Sequence, residues 1–248
     1  MSGHSKWSTI KRKKGALDAK RSKIFSRLSK EITIAVKEGG GNDSEMNARL
    51  RTAIQNAKAQ NMPKDNIERA IKKGDSDEGG LQGATFEGYG PGGIAIFVEC
   101  LTDNNNRTVG SVRAIFTKRG GSLGKNGSLG FLFDRKGVFT IPKGNIDPEE
   151  FELEIIDAGV DEIEDEGDVL MVYCPLEAFG DVQKKLEEMG IEPESSELQR
   201  IPNNTTKVDV ETGQKVMEMI DAFEDDDDVQ NVFHNMEMTD ELMEALNK

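Results

Sequence analysis

From Ala16 to Lys37, apolar residues recur at helical spacing. Leu17, Ile24, Leu28, Ile32 and Ala35 fall on one stripe, and Lys20, Arg21, Lys23, Arg27 and Lys30 supply a cationic remainder. Gly39-Gly40-Gly41 ends that helix. Ser44 is placed to cap a second helix, with Met46, Leu50, Ala53, Ile54 and Ala57 facing inward. Pro63 suits the first turn of a third, which carries Ile67, Ala70 and Ile71 and closes at Lys72-Lys73-Gly74. Three helices with short connections predict a small bundle. Residues 1–15 show no periodic apolar face and read as a basic arm.

The acidic, Gly-rich stretch 75–83 reads as a linker, after which the period changes from 3.6 to 2. A hairpin is predicted from Ala84 through a turn at Gly88–Gly93 into Ile94–Leu101. A helix follows over Asn105–Arg119, with Val109, Val112, Ile115 and Phe116 as its core face. From Gly137 to Pro202 the order is strand, helix, strand, strand, helix, strand, the split βαβ of ferredoxin-like domains. Its parts are Val138–Ile141, Pro148–Ala158, Glu162–Asp165, Asp168–Cys174, Leu176–Met189 and Ser196–Ile201. A strand near Thr205–Val208, a helix at Glu211–Phe223 and a strand at Val229–Met236 complete the sheet begun at Ala84. The predicted fold class is α+β: an N-terminal three-helix domain followed by two α/β domains, at least one ferredoxin-like. The expected domains are 1–78, a discontinuous one of 79–136 plus 203–240, and an inserted one at 137–202.

Charge changes the picture more than composition does. Residues 1–73 carry 18 Lys/Arg against 7 Asp/Glu, whereas residues 74–248 carry 14 against 39, and the overall −14 hides this division. A basic module on an acidic body is the footprint of a protein that meets a polyanion at one end. The longest apolar runs, Ile94–Val98 and Val169–Tyr173, fall far below the ~20 residues that span a bilayer, so no membrane segment is expected. Cys100 and Cys174 lie in strand-like stretches outside any CxxC pair and read as buried hydrophobes of a reducing compartment. His4 and His234 have no metal-ligand spacing. No metal, no cofactor and no enzymatic activity are expected.

Gly88-Tyr89-Gly90-Pro91-Gly92-Gly93 formally matches GxGxxG. It leads into a strand rather than a helix, and Pro91 removes an amide, so a structural turn is expected. Gly124-Lys125 lacks the Ser/Thr and the upstream Gly of a phosphate loop. Asp225–Asp228 lacks the alternation and Gly of a calcium loop and reads as a solvated acidic turn, as does the surface charge of Asp161–Asp168. The N-terminal cluster is different. Lys6, Lys11, Arg12, Lys13, Lys14, Lys20, Arg21 and Lys23 fall within 18 residues with Trp7 beside them. Cations neutralise phosphates and an indole stacks on an unpaired base, so these nine residues are the candidate nucleic-acid site.

Three literal strings then carry a family resemblance. GHSKW at Gly3–Trp7 is followed by Ile10-Lys11 and Asp18-Ala19-Lys20-Arg21. NARLRTAIQNAKAQNMPKDNIERAIKKG fills Asn47–Gly74, and EGYGPGGIAIFVECLTDNNNRT fills Glu87–Thr108. Together they resemble the YebC/PmpR family, with Phe86 where Tyr is expected and Ser8-Thr9 where Ala-Asn is usual. The resemblance implies three domains, a helical one and two α/β ones. It also implies nucleic acid as partner, because family members are described as probable transcriptional regulators that bind DNA. A mitochondrial relative activates translation of cytochrome oxidase subunit I, and bacterial members help ribosomes through proline-containing stretches.

The basic N-terminus shares its composition with a transit peptide. GHSKW at residue 3 leaves no room for one, and a bacterial, cytoplasmic member is expected. Two binding functions follow. One is a translation factor bound to rRNA, tRNA or the ribosome, with the loop Gln60–Lys64 as a tip entering a confined site. The other is a DNA-binding transcriptional regulator at promoters, which needs an element facing base edges; no helix-turn-helix spacing identifies one.

Overall fold

A computed structural model describes residues 18–76 and 80–246, with side chains from residue 21 onward. The chain forms two compact units, one containing the N-terminal helices and residues 135–200, the other built from the segments up to Asp134 and from Ile201. The architecture is α+β, with helices first and then two antiparallel sheets, one of them ferredoxin-like in strand order.

In the first unit, α1 (Asp18–Glu38), α2 (Ala48–Ala59) and α3 (Lys64–Asp75) bury a shared core. Ile32, Ala35 and Val36 meet Leu50, Ala53, Ala57, Ile67 and Ala70, and Phe25 and Leu28 pack at its margin. Two ends differ from expectation. The cap of α2 is Asn47 rather than Ser44, because its side chain does three jobs at once. It accepts from the Leu50 N–H at 3.0 Å and donates to the Ala35 and Gly41 carbonyls, both at 2.8 Å. Met46, expected inside, therefore precedes the helix and is 86% exposed. Likewise α3 does not close at Gly74 but continues through it. A Cβ there would come within 2.7 Å of both the Thr33 carbonyl oxygen and the Val36 Cβ, so the glycine is a point of close helix approach.

The remainder of this unit runs β4 (Phe133–Pro142), α5 (Pro148–Ile155), β5 (Glu162–Asp165), β6 (Val169–Pro175), α6 (Phe179–Glu188) and β7 (Ser195–Pro202). The sheet order is β5-β6-β4-β7. Phe139, Ile141, Leu170, Val172 and Cys174 of the sheet pack on Phe151, Ile155, Val182 and Leu186 of the helices. Within the acidic stretch expected at the surface, Glu164 is buried and accepts from the Tyr173 hydroxyl at 3.0 Å. Burial, reinforced by that neighbouring carboxylate, pushes the Tyr173 phenol well up.

The second unit is the sheet β3-β1-β2-β8, built from β1 (Gln82–Tyr89), β2 (Ala95–Thr102), β3 (Ser122–Leu123) and β8 (Val229–His234). The glycine-rich match is the hairpin turn between β1 and β2, with Gly92 at φ 68° and Gly93 at φ 73°. Helices α4 (Asn105–Lys118) and α7 (Val210–Glu224) meet through Phe116 and Phe223, ring centroids 4.8 Å apart. Gly88 lies against the Phe116 ring, where a Cβ would approach within 2.7 Å. Phe97, Leu129, Phe133 and Phe233 form another cluster of the same unit. The strand expected at Thr205–Val208 is a single parallel bridge, Thr206 to Met236, fastened by Asn235. A short α8 (Asp240–Leu246) follows, its Leu242 packed on Gly213.

Candidate nucleic-acid interface

Of the candidate residues, Lys6, Trp7, Lys11, Arg12, Lys13 and Lys14 lie outside the described residues. Lys20 belongs to the first turn of α1, and its side chain is likewise outside them. Arg21 is exposed, with its guanidinium 5.6 Å from the centroid of the Phe25 ring. Lys23 is half-buried. Helical spacing places Lys23 with Arg27 and Lys30 on one side of α1, away from the Ile32 and Ala35 stripe, while Arg21 stands apart beside Phe25.

The bundle carries further cations outside the N-terminal cluster. Lys58, Lys72 and Lys73 are exposed, and none has a carboxylate within ion-pair distance among the described residues. The only signal for them was the Lys72-Lys73 pair, which reads equally as a helix end. Other cations are engaged locally: Arg49 pairs with Glu38 at 2.7 Å, and Lys64 with Glu68 at 3.7 Å. Between α2 and α3, Gln60, Asn61, Pro63 and Lys64 form an exposed tip, with Asn61 left-handed at φ 56° and Met62 turned into the core.

Polar residues of the long N-terminal string have structural partners. Asn56 donates to the Ser196 carbonyl at 2.8 Å and accepts its N–H at 2.9 Å, closing part of the β7 edge. Thr52 donates to Gln183 at 3.1 Å, and Gln55 accepts from the Gln183 amide and donates to the Glu187 carboxylate. The string TDNNNRT is also a structural knot. Arg107 donates to both oxygens of Asp228, and Thr108 donates to the same carboxylate at 2.9 Å, with Asn104 capping α4. The hydrogen bond to Asp228, and after it the one to Asp103, hold the Arg107 guanidinium above its ordinary pKa. Asp228 is 5% exposed, so the supposed solvated turn is only partly so: Asp225 and Asp227 face solvent, and Asp228 does not. Among the described residues, no group of three or more His, Cys, Asp or Glu is arranged to hold a metal.

Comparison with known proteins decides the family. Residues 5–77 match the model described as the TACO1/YebC protein N-terminal domain, and residues 81–236 match that for the TACO1/YebC second and third domain. The chain belongs to the TACO1/YebC family. Within this family, a relative from Geotalea uraniireducens, named "Probable transcriptional regulatory protein", is 49% identical over 99% of this chain and 100% of its own length. One of the same name from Amoebophilus asiaticus is 53% identical over 95% of this chain and 98% of its own. A crystal structure of a conserved hypothetical protein from Aquifex aeolicus superposes with a TM-score of 0.84 at 41% identity, covering 91% of this chain and 94% of that one. No helix among the described residues of this TACO1/YebC member is long and apolar enough to cross a membrane.

Proposed function

We propose that this chain is a non-enzymatic, nucleic-acid-binding regulator of gene expression that acts in the cytoplasm on ribosomal or transfer RNA. Its task at the ribosome is to ease elongation through difficult, proline-rich stretches. The observation that carries the reading is the charge division: a helical module and arm with 18 Lys/Arg against 7 Asp/Glu, joined to a remainder with 14 against 39. An acidic remainder is on the whole repelled by phosphates, so the main contact with a polyanion falls to the basic end. On this reading Lys6, Trp7, Lys11, Arg12, Lys13, Lys14, Lys20, Arg21 and Lys23 make the contact. Three parts then divide the work: 1–78, 79–136 with 203–240, and 137–202.

A DNA-binding transcriptional regulator is the second reading, favoured by the relatives' names and by one observation. Helices α2 and α3 are joined by the tight turn Gln60–Pro63, as a helix-turn-helix requires. Two features weigh against α3 as a reader of the major groove. Its exposed opening turns carry Asp65 and Glu68, which oppose phosphates, and one side of α2 is committed to Gln183, Glu187 and Ser196. Ultraviolet crosslinking in cells, with sequencing of the attached nucleic acid, separates the two. Ribosomal or transfer RNA crosslinked to residues 1–78 is the expected result. Enrichment of discrete promoter DNA overturns it in favour of transcription.

A further inference from the structure

The acidic part of the chain contains a second basic tract. Between Asn104 and Lys136 there are 7 Lys/Arg and a single acid, Asp134, whereas the rest of residues 74–248 carries 7 against 38. Arg107 and Arg119 of this tract are held by Asp228 and Glu218. Arg113, Lys118 and Lys125 are exposed and have no carboxylate within ion-pair distance among the described residues. In so acidic a background, three cations without a carboxylate partner among the described residues, on one helix and the loop that follows it, make a local field that attracts an anion.

The fold sets one of these cations, Lys125, beside a cleft. Strand β3 pairs with β1 at Gly88 and Tyr89, and among the described residues the β1 edge from Gln82 to Glu87 has no neighbouring strand on that side. The edge opens on a cavity of about 510 Å³ whose lining includes Gln82, Phe86, Asn105, Leu123 and Asn126. Asn105 begins α4, which carries Arg113 and Lys118, and Asn126 adjoins Lys125. The loop is not free to collapse into the cleft. The Glu87 carbonyl accepts from Gly124 at 2.7 Å, and the buried Glu87 carboxylate accepts from the Gly127 N–H at 2.8 Å and from the Leu129 N–H. Glu87 thus fixes the segment that presents Lys125 and Asn126.

We propose that this cleft, together with the exposed cations of α4 and of the loop that follows it, binds an unpaired stretch of RNA, separately from the N-terminal arm. The inference rests on the reading above that the partner is RNA. Amide side chains offer a donor and an acceptor together, the requirement for meeting base edges or a 2′-hydroxyl. Phe86 supplies a ring on which a base can stack, and Arg113, Lys118 and Lys125 neutralise phosphates. A volume of about 510 Å³ suits one or two nucleotides splayed from a strand.

The test uses the full chain, a short fluorescein-labelled single-stranded RNA of mixed sequence and its DNA counterpart, read by anisotropy across a salt series. Arg113→Ala, Lys118→Ala and Lys125→Ala are combined, and Lys125→Glu is made alone in case the triple variant folds poorly. With the arm intact, the triple variant loses affinity about tenfold and its log affinity against log salt slope becomes shallower by about 2, as three lost phosphate contacts on a single strand imply. Lys125→Glu weakens binding in the same direction, and 4-thiouridine RNA crosslinks to the peptides containing Phe86 or Asn126. Unchanged affinity and slope in both variants, with crosslinks confined to residues 1–78, overturn the second site and leave the proposed function standing. Equal binding of the DNA counterpart overturns the assignment to RNA, and no RNA binding by the unaltered chain overturns both proposals.

Discussion

Asn47 shows how much one side chain decides. Its amide joins the end of α1, the glycine turn and the start of α2, so it is 1% exposed despite its polarity. Ser44 had the same local credentials as a cap, but only Asn47 reaches the Ala35 carbonyl. Asp228 is a parallel case, legible as one of four aspartates yet distinguished by Arg107, 121 residues away. Cys174 was legible as a buried hydrophobe and is fully buried. Burial, with Asp161 nearby, pushes its thiol up to about 11. A thiol raised above its unfolded value contributes stability below that value, near pH 9, and loses it as pH rises through 11. Native protein is therefore expected to resist iodoacetamide at pH 8 at Cys174, while denatured protein alkylates readily; mass spectrometry of the tryptic peptide checks this. Equal rates in the two states would show that the thiol is accessible.

The three helices of the bundle were legible from periodicity because Leu50, Ala53, Ala57, Ile67 and Ala70 are spaced to share a side. Their ends were less so, since caps compete locally and tertiary bonds choose among them. Gly74 makes the point testable. Helix propensity favours Ala over Gly by about 1 kcal/mol, which on its own predicts that Gly74→Ala stabilises. The Cβ would instead meet the Thr33 carbonyl oxygen and Val36 at 2.7 Å, and backbone cannot give way cheaply. The expected outcome is destabilisation by about 1–3 kcal/mol, the range for overpacking, seen as a lower denaturant midpoint with unchanged slope. A higher midpoint would show that α1 and α3 move apart freely. In the second unit, Thr205–Val208 has strand-like residues but no continuous partner, so alternation alone overstated it.

At the scale of the whole molecule, charge is the dominant feature, and it was legible because counting needs no geometry. If the arm provides the main phosphate contacts, changing Lys11, Arg12, Lys13 and Lys14 to Ala flattens the salt dependence of single-stranded RNA binding. The expected change in slope is about 3, from four contacts at ~0.7 each. An unchanged slope would place the contacts elsewhere on the chain. The second basic tract, Arg107–Lys136, is diluted in any count that spans the entire acidic remainder. Its meaning depends on which cations are already paired, and that is a matter of distances.

Periodicity, turn residues and charge are properties of neighbours along the chain, and from them alone followed the helical module, the ferredoxin-like order of elements and the polarity of the molecule. Tertiary structure decided what those neighbours cannot encode. It committed Asn56 to Ser196, 140 residues on, buried Asp228 under Arg107, and paired Arg119 with Glu218 while leaving Arg113 to solvent. The physical reason is that a polar side chain takes its role from what it pairs with once water is removed. Across 100 residues or more, only the folded chain brings those partners within 3 Å.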